Sequence, residues 1–276
     1  MNLRDITSVG RSVDLRLPSN RAIVAATIAV TAAGALWQLL SGEPWFASAA
    51  WGAQAGIAVF LAWALCRELD PDHPLAAFAA IEFGALGLFL WGLPRLDVAL
   101  WLVVLMRVVN RTTGLSAGVL DSLGLLGLGG WLTMKGNFGT GVITALAFVL
   151  DSLLPDPARR RLAFAALALI VTVVVGILGD IAPGQIGLSP SGALIGLALS
   201  LAFMPVILAS GSLESVGDQT GRRLIPIRVQ AAQVLGLLAG TETAFLRGPA
   251  AITALSPLWA ATVGAAVIWL VAVLMP

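Results

Sequence analysis

The sequence predicts an all-α fold: a polytopic transmembrane bundle of about ten spans, with the amino and carboxyl termini both in the cytoplasm. Two observations carry this prediction. Hydrophobic residues make up 58% of the 276 residues and charged residues only 11%, with a mean hydropathy of +0.94, whereas soluble domains are about a quarter charged. The apolar residues also form continuous runs and not the alternating pattern of transmembrane β-strands, so helices are expected throughout.

The predicted spans are apolar runs separated by polar or Gly/Pro breaks, read against the roughly 20 residues that a helix needs to cross a bilayer. They are Ala22–Leu40, Trp45–Leu65, Leu75–Leu93, Val98–Val109, Leu115–Thr133, Phe138–Leu154, Leu162–Gly179, Gly192–Ala209, Val229–Leu246 and Ser256–Met275. The fourth run is short and contains Arg107. It is either a thin or tilted span or one half of a re-entrant hairpin with the fifth run.

The basic residues predict the orientation. With the amino terminus in the cytoplasm, thirteen of the 16 Lys and Arg residues fall on the cytoplasmic side, and only Arg95, Lys135 and Arg247 on the other. Cytoplasmic loops of membrane proteins carry this excess of basic residues. The sequence thus divides into a cytoplasmic segment, residues 1–21, and a single transmembrane domain, residues 22–276, of a multi-pass protein of the inner cell membrane.

Composition also restricts the partners. A net charge of +1 leaves no basic face for nucleic acid. One cysteine, Cys66, and one histidine, His73, exclude a disulfide framework and the thiolate or imidazole clusters of most zinc and haem sites. Membrane lipid is the expected partner. Many of the 30 glycines recur three or four residues apart, which favours close helix packing in the bundle and would also permit a homo-oligomer.

Ionisable side chains concentrate towards the predicted cytoplasmic ends of the spans. The pentapeptide Val-Leu-Asp-Ser-Leu occurs around Asp121 in the fifth run and again around Asp151 in the sixth. Asp70 and Asp72 lie in the loop between the second and third runs, and Glu82 lies roughly 10 Å below that surface at the helical rise of 1.5 Å per residue. Because charge inside a membrane is costly, such residues indicate function. We predict one acidic pocket that opens to the cytoplasm.

Carboxylates could hold Mg²⁺ through oxygen ligands while arginines pair with phosphate. The leading prediction is therefore a metal-dependent enzyme acting on a lipid or isoprenoid phosphate or diphosphate. The candidate residues are Asp121, Asp151 and Glu82 as catalytic groups; Arg107, Asn110 and Arg111 as phosphate-binding groups; and Asp70, Asp72, Asp121 and Asp151 as Mg²⁺ ligands.

Each feature has a structural alternative. The segment around Asp70 is equally typical of a tight turn. Asp121 and Asp151 could each be neutralised by a buried arginine or by hydrogen bonds at a helix end. Arg107 and Arg111 could serve only as anchors, with their side chains extending to lipid phosphate at the membrane surface. The runs 159–161 and 222–223 are typical of basic topology anchors.

The one-sided placement of the acids is similar to the general layout of intramembrane prenyltransferases, but their paired Asp-rich motifs are absent, so no family is assigned. Two other functions stay open. Ten spans suit the repeated halves of a secondary transporter coupled to protons or Na⁺. A non-catalytic membrane subunit is the third possibility.

Overall fold

The computed structural model describes residues 7–11, 13–178 and 189–275. Within these ranges the chain forms α-helices, one 3₁₀ turn at Ser210–Ser212, and no β-strand. The helices are α1 (Pro18–Leu40), α2 (Trp45–Leu69), α3 (Pro74–Trp91), α4 (Leu96–Asn110), α5 (Val119–Met134), α6 (Phe138–Leu153), α7 (Arg161–Leu178), α8 (Pro190–Ala209), α9 (Pro226–Arg247), α10 (Pro249–Ala254) and α11 (Ser256–Leu274). The all-helical prediction is confirmed for the described residues.

Each predicted span overlaps a helix, and within the described ranges α10 is the one helix between spans that the sequence did not predict. In the part of the chain that the structure describes, six helices are long and apolar enough to cross a membrane: α1, α2, α3, α7, α11, and α8 together with the 3₁₀ turn. The apolar helices α5 and α6 are shorter, with 16 residues each. The last residue of the predicted seventh span, Gly179, and the first six residues of the predicted amino-terminal segment lie outside the described residues.

Proline and glycine set the limits of several helices. Pro18, Pro74 and Pro226 each occupy the first turn of a helix, where the missing N–H costs nothing and the fixed φ suits the helix. Helices α3 and α9 end at Gly92 and Gly248, whose φ values of 85° and 71° favour glycine. The breaks that separate the apolar runs in the sequence therefore end the helices physically.

The described chain forms two compact units. Unit 2 contains residues 13–99 and 253–275, with α1, α2, α3 and α11. Its helices approach through small residues: a Cβ on Gly52 of α2 would lie 2.4 Å from the Thr31 carbonyl oxygen of α1, and one on Gly264 of α11 would lie 2.7 Å from the Ala80 nitrogen of α3. Close backbone approach of this kind is how helices associate in lipid, where hydrophobicity provides no drive.

Unit 1 contains residues 7–11 and 100–252, with all of α5–α9 and most of α4 and α10. Helix α6 packs against α5, α7 and α9, and α8 packs against α9. Threonine hydroxyls support this packing. Trp101 of α4 donates its indole N–H to the Thr144 hydroxyl of α6 at 2.9 Å, and Thr144 donates to the Thr140 carbonyl at 2.7 Å. Unit 1 is thus held by polar as well as apolar contacts.

Gly264→Ala tests the close approach in unit 2. The new Cβ would lie 2.7 Å from the Ala80 nitrogen and 2.9 Å from the Ala76 carbonyl oxygen. These are backbone atoms of a helix and cannot move aside, so we expect a loss of about 1–3 kcal/mol in the free energy of unfolding, the usual cost of overpacking. Denaturant titration in detergent micelles measures it.

Gly124→Ala is the matched control, because no atom lies within 4 Å of the position its Cβ would take. Alanine in an open helical position stabilises by about 0.5–1 kcal/mol relative to glycine. Equal effects of the two substitutions would contradict the packing described for α3 and α11.

Candidate functional site

One end of unit 1 is built around the carboxylate of Asp151, which lies near the end of α6 and is fully buried. Arg111, directly after α4, donates to Oδ1 from Nε at 3.0 Å and from Nη2 at 2.7 Å. Arg228, at the start of α9, donates to Oδ1 at 2.9 Å, and Arg161, which begins α7, donates to Oδ2 at 3.3 Å. We call these four residues, together with Asp156, the arginine junction.

Two of these arginines, Arg228 and Arg161, also bind main-chain carbonyl groups. Arg228 donates to the carbonyl oxygens of Val109 at 2.9 Å, Pro155 at 2.8 Å and Asp156 at 3.0 Å. Arg161 donates to those of Ala117 and Gly118, just before α5. The junction therefore fixes both loops on either side of the α5–α6 hairpin. Arg161 and Arg228 have 0% and 1% of their side chains exposed, so their role is structural as well as electrostatic.

Arg111 makes a second ion pair that differs from the first. Its Nη1 donates to Asp156 Oδ2 at 2.6 Å, and the side chain of Asp156 is 77% exposed. Both residues have a positive φ, 54° for Arg111 and 61° for Asp156, and no other non-glycine residue of the described ranges does. Such backbone conformations cost of order 1–3 kcal/mol each and cluster at functional sites. The strained pair is the exposed edge of the junction.

The charges of the junction do not balance. Three guanidinium groups face one buried carboxylate, Asp151, and one exposed carboxylate, Asp156. One positive charge is therefore left over, next to the exposed Arg159 and Arg160. A guanidinium that already holds one edge fixed is suited to bind an oxyanion on its other edge, through two parallel hydrogen bonds. The junction can thus hold a carboxylate or a phosphate at Arg111.

Asp121 lies in the first turn of α5 and serves as a cap. Its Oδ2 accepts from the Gly118 N–H at 2.7 Å, the Ser8 N–H at 3.0 Å and the Ser8 hydroxyl at 2.6 Å. The Thr7 hydroxyl donates to Oδ1. This satisfies donors at the amino end of the helix and places a negative charge where the helix dipole favours it. Arg161 links the two aspartates. It donates to Asp151 directly, and it donates to the carbonyl oxygen of Gly118, whose N–H donates to Asp121.

Two further segments close the same end of unit 1. In the loop before α9, the Gln219 N–H donates to the Thr113 carbonyl at 3.0 Å, and a Cβ on Gly217 would lie 2.5 Å from the Gly114 Cα. In residues 7–11, the Val9 carbonyl accepts from Arg107 at 3.3 Å, and Arg11 pairs with Asp218.

The other two predicted phosphate-binding residues lie at the end of α4. Arg107 is half-buried. Asn110 is buried, and its side-chain oxygen accepts from the Thr112 N–H at 3.3 Å.

The remaining candidate acids lie in unit 2. Asp70 is buried, and His73 Nδ1 lies 2.8 Å and 3.0 Å from its two carboxylate oxygens. Burial raises the pKa of the Asp70 carboxyl above its ordinary value, and the hydrogen bond from His73 opposes that rise. Asp72 is half-buried in the same loop, and Glu82 is exposed on α3. That these three share a pocket with Asp121 and Asp151 stays a prediction.

In the described ranges, no three His, Cys, Asp or Glu side chains are grouped closely enough to hold a metal ion. Asp121 and Asp151 use both of their carboxylate oxygens to accept hydrogen bonds from the chain itself. This is the structural alternative that the sequence left open, with buried arginines for Asp151 and a helix end for Asp121. Their assignment as Mg²⁺ ligands stays a prediction, and these contacts do not support it.

Sequence reasoning placed Arg111 beside the acids but missed Arg161 and Arg228. Arg161 was interpreted as one of three topology anchors, yet Arg159 and Arg160 are exposed and only Arg161 is buried. A usable signal was present. A buried aspartate needs hydrogen-bond donors or a cation, and the first residue of α7 follows Asp151 by only ten positions. The sequence carried no comparable signal for Asp156, or for the hydrogen bonds that Thr7 and Ser8 donate to Asp121.

No protein-family model, curated protein or solved structure matches the chain. The function is therefore argued from the junction itself.

Asp151→Asn tests the role of the junction in stability. It would leave three buried arginines without their shared counter-charge, and breaking a buried ion pair costs about 3–5 kcal/mol. We expect a loss of that size in the free energy of unfolding, measured by denaturant titration in micelles. The control is Asp156→Asn, which removes an exposed carboxylate from the same Arg111 and should cost no more than about 1 kcal/mol. Similar losses in both variants would show that Asp151 is not the centre of the junction.

Proposed function

We propose that the protein is a multi-pass membrane protein that acts on a lipid or isoprenoid phosphate or diphosphate, and that the arginine junction binds the anionic group. The observation that carries this proposal is the pair Arg111–Asp156. It joins a nearly buried guanidinium, 7% exposed, to a carboxylate that is 77% exposed, on two strained backbones. Asp156 stands where the oxygens of a phosphate would bind, and it can be displaced without unfolding the junction.

The chemistry of Arg111 supports phosphate as the ligand. Its Nε and Nη2 hold Asp151, which fixes the plane of the guanidinium, and Nη1 donates to the exposed Asp156. A fixed planar fork favours phosphate and carboxylate over other anions. The exposed Arg159 and Arg160 add positive charge beside it. An amphipathic substrate could keep its chain in the bilayer and present its phosphate at this end of unit 1.

Ten spans, with the junction and both termini on the cytoplasmic side of the inner membrane, are the topology that we propose. Connections within unit 1 support the order of spans four to nine. The carboxyl ends of α4 and α6 meet the amino ends of α5, α7 and α9 at the junction. Successive helices therefore run in opposite directions, as successive spans must. The concentration of arginines at this end favours the cytoplasm.

Cysteine accessibility tests this topology. In a Cys66→Ala background, Lys135→Cys and Arg160→Cys place single exposed thiols at opposite ends of α6. In intact cells an impermeant maleimide should label position 135 only, and position 160 should be labelled only after the membrane is opened. Labelling of both positions in intact cells, or of neither, would contradict the crossing of α6.

Lipid binding tests the function. In phosphatidylcholine nanodiscs, we expect farnesyl phosphate and farnesyl diphosphate to raise the melting temperature of the full chain, and farnesol to leave it unchanged. Inorganic phosphate, tested separately, shows whether the headgroup is enough. Arg111→Gln should weaken binding about tenfold or more, because a hydrogen bond to a charged group contributes about 1.5–3 kcal/mol. Release of inorganic phosphate in the same samples measures hydrolysis.

Asp156→Ala separates binding from folding. If a phosphate competes with this carboxylate for Arg111, the variant should bind farnesyl phosphate more tightly than the wild type does. Arg160→Gln, which removes one exposed charge near the junction, is the control for non-specific attraction. Loss of affinity in Asp156→Ala, or equal losses in Arg111→Gln and Arg160→Gln, would exclude the junction as the binding site.

Mg²⁺ remains a separate proposal. Since Asp121 and Asp151 are occupied by donors of the chain, a bound diphosphate is the more favourable source of oxygen ligands for the ion. Repeating the melting experiment with Mg²⁺ alone and with farnesyl diphosphate distinguishes the two. Stabilisation by Mg²⁺ alone would support protein ligands; stabilisation that needs the diphosphate would support delivery with the substrate.

A secondary transporter is the second candidate, and Glu242 favours it. This half-buried carboxylate lies inside α9, and a Cβ on Gly139 of α6 would lie 2.0 Å from its Oε1. Its one hydrogen bond in the described structure is a long contact of 3.3 Å from Thr243. A carboxylate so poorly compensated inside a bundle is a candidate for a proton or Na⁺ site. Stability that depends on Na⁺ and loses that dependence in Glu242→Gln would favour this function.

A further inference from the structure

Glu82 occupies the middle of a helix able to span the membrane. It is the ninth of the 18 residues of α3, and α3 is among the six candidate spans. At a rise of 1.5 Å per residue, its Cα lies about 12 Å from the first residue of the helix. The carboxylate is therefore closer to the centre of the bilayer than to either surface.

The surface around Glu82 is apolar and largely exposed; at one end of it the ring of Phe89 packs against Trp37 of α1, with the ring centroids 5.7 Å apart. Leu75, Leu86, Phe89 and Leu90 are exposed on α3, at spacings that place them on the same side of the helix as Glu82. Small residues form the opposite side and are buried against α2 and α11, which pack on α3. They are Ala76, Ala77, Ala80, Gly84 and Gly87. We call the exposed side, centred on Glu82, the outer face of α3.

Within the described ranges, Glu82 forms no hydrogen bond and no ion pair. A charged side chain at mid-membrane depth is costly, and such residues nearly always face the interior of a bundle or pair with another group. Glu82 does neither in unit 2. A basic side chain at the same depth would compensate the charge.

We infer that the outer face of α3 is a docking surface for a transmembrane helix of a different protein, one that presents a basic side chain at mid-membrane depth. A second copy of this chain does not supply that group. Every one of the 16 Lys and Arg residues lies in a loop, in the amino-terminal segment, or in the first or last turn of a helix. A symmetric dimer through this face would instead bring two Glu82 carboxylates together. The inference does not rest on the proposed function.

A synthetic single-span peptide provides the test. The full chain, fused at its carboxyl terminus to a fluorescent protein, is reconstituted in phosphatidylcholine vesicles with a polyleucine peptide that carries one central Lys and an acceptor dye. We expect energy transfer that exceeds that of the all-Leu peptide. Glu82→Leu should weaken the association about tenfold, the size of effect that a polar contact between helices has in a bilayer.

The position of the carboxylate provides the control. Ile170 is 57% exposed near the middle of α7, another candidate span. In the double variant Glu82→Leu, Ile170→Glu we expect no recovery of peptide binding. Full recovery would show that any exposed carboxylate attracts the peptide and would overturn the docking surface on α3.

Two other outcomes would also overturn the inference. Equal binding of the Lys and all-Leu peptides to the wild type would mean that Glu82 needs no basic partner. Energy transfer between donor- and acceptor-labelled copies of the full chain, abolished by Glu82→Leu, would show that a second copy covers the face.

Discussion

A carboxylate without water must find its hydrogen-bond donors within the chain, and for Asp151 those donors come from the ends of three other helices. Arg111, Arg161 and Arg228 each reach it from a different segment. Because Arg161 and Arg228 also hold main-chain carbonyl groups, the positions of the neighbouring loops follow from the same contacts. The arrangement is not an efficient source of stability, since buried ion pairs roughly offset their own desolvation. It specifies which helix ends meet.

Both units bring helix backbones together at glycines, as at Gly192 of α8 in unit 1, where a Cβ would lie 2.2 Å from the Ala244 carbonyl oxygen of α9, and unit 1 adds polar contacts between helix ends. In unit 2, backbones approach through glycines such as Gly52 and Gly264, which leave no space for a Cβ. In unit 1, arginines and the cap of Asp121 join the ends of helices that include the short α5 and α6. Short helices bury less surface along their length, so contacts at their ends contribute more. This difference explains why the ionisable residues of the interior concentrate in unit 1.

The sequence predicted the helices well because residues with a strong local effect, such as Pro74 and Gly92, bound several of them. It also singled out Asp121 and Asp151, since a repeated aspartate in apolar runs is conspicuous. It did not distinguish Arg161 from Arg159 and Arg160, because a run of arginines satisfies both topology and ion pairing. Nor did it place Glu82. Helix α3 is apolar on every side, so the pattern does not reveal which side is buried, and the exposed position of Glu82 follows only from tertiary packing.

Arg111 and Glu82 differ in the kind of binding partner that each one suits. The exposed edge of Arg111 is occupied by a strained, solvent-exposed carboxylate, and we propose that the phosphate of a ligand displaces it. Glu82 forms no hydrogen bond or ion pair in the described ranges, and it lies in the middle of a helix long and apolar enough to span a membrane. An anion can reach the first by diffusion from the membrane surface, whereas a cation reaches the second only if another helix carries it into the bilayer. The site at Arg111 therefore suits a ligand that exchanges, and the site at Glu82 suits a protein partner that remains bound.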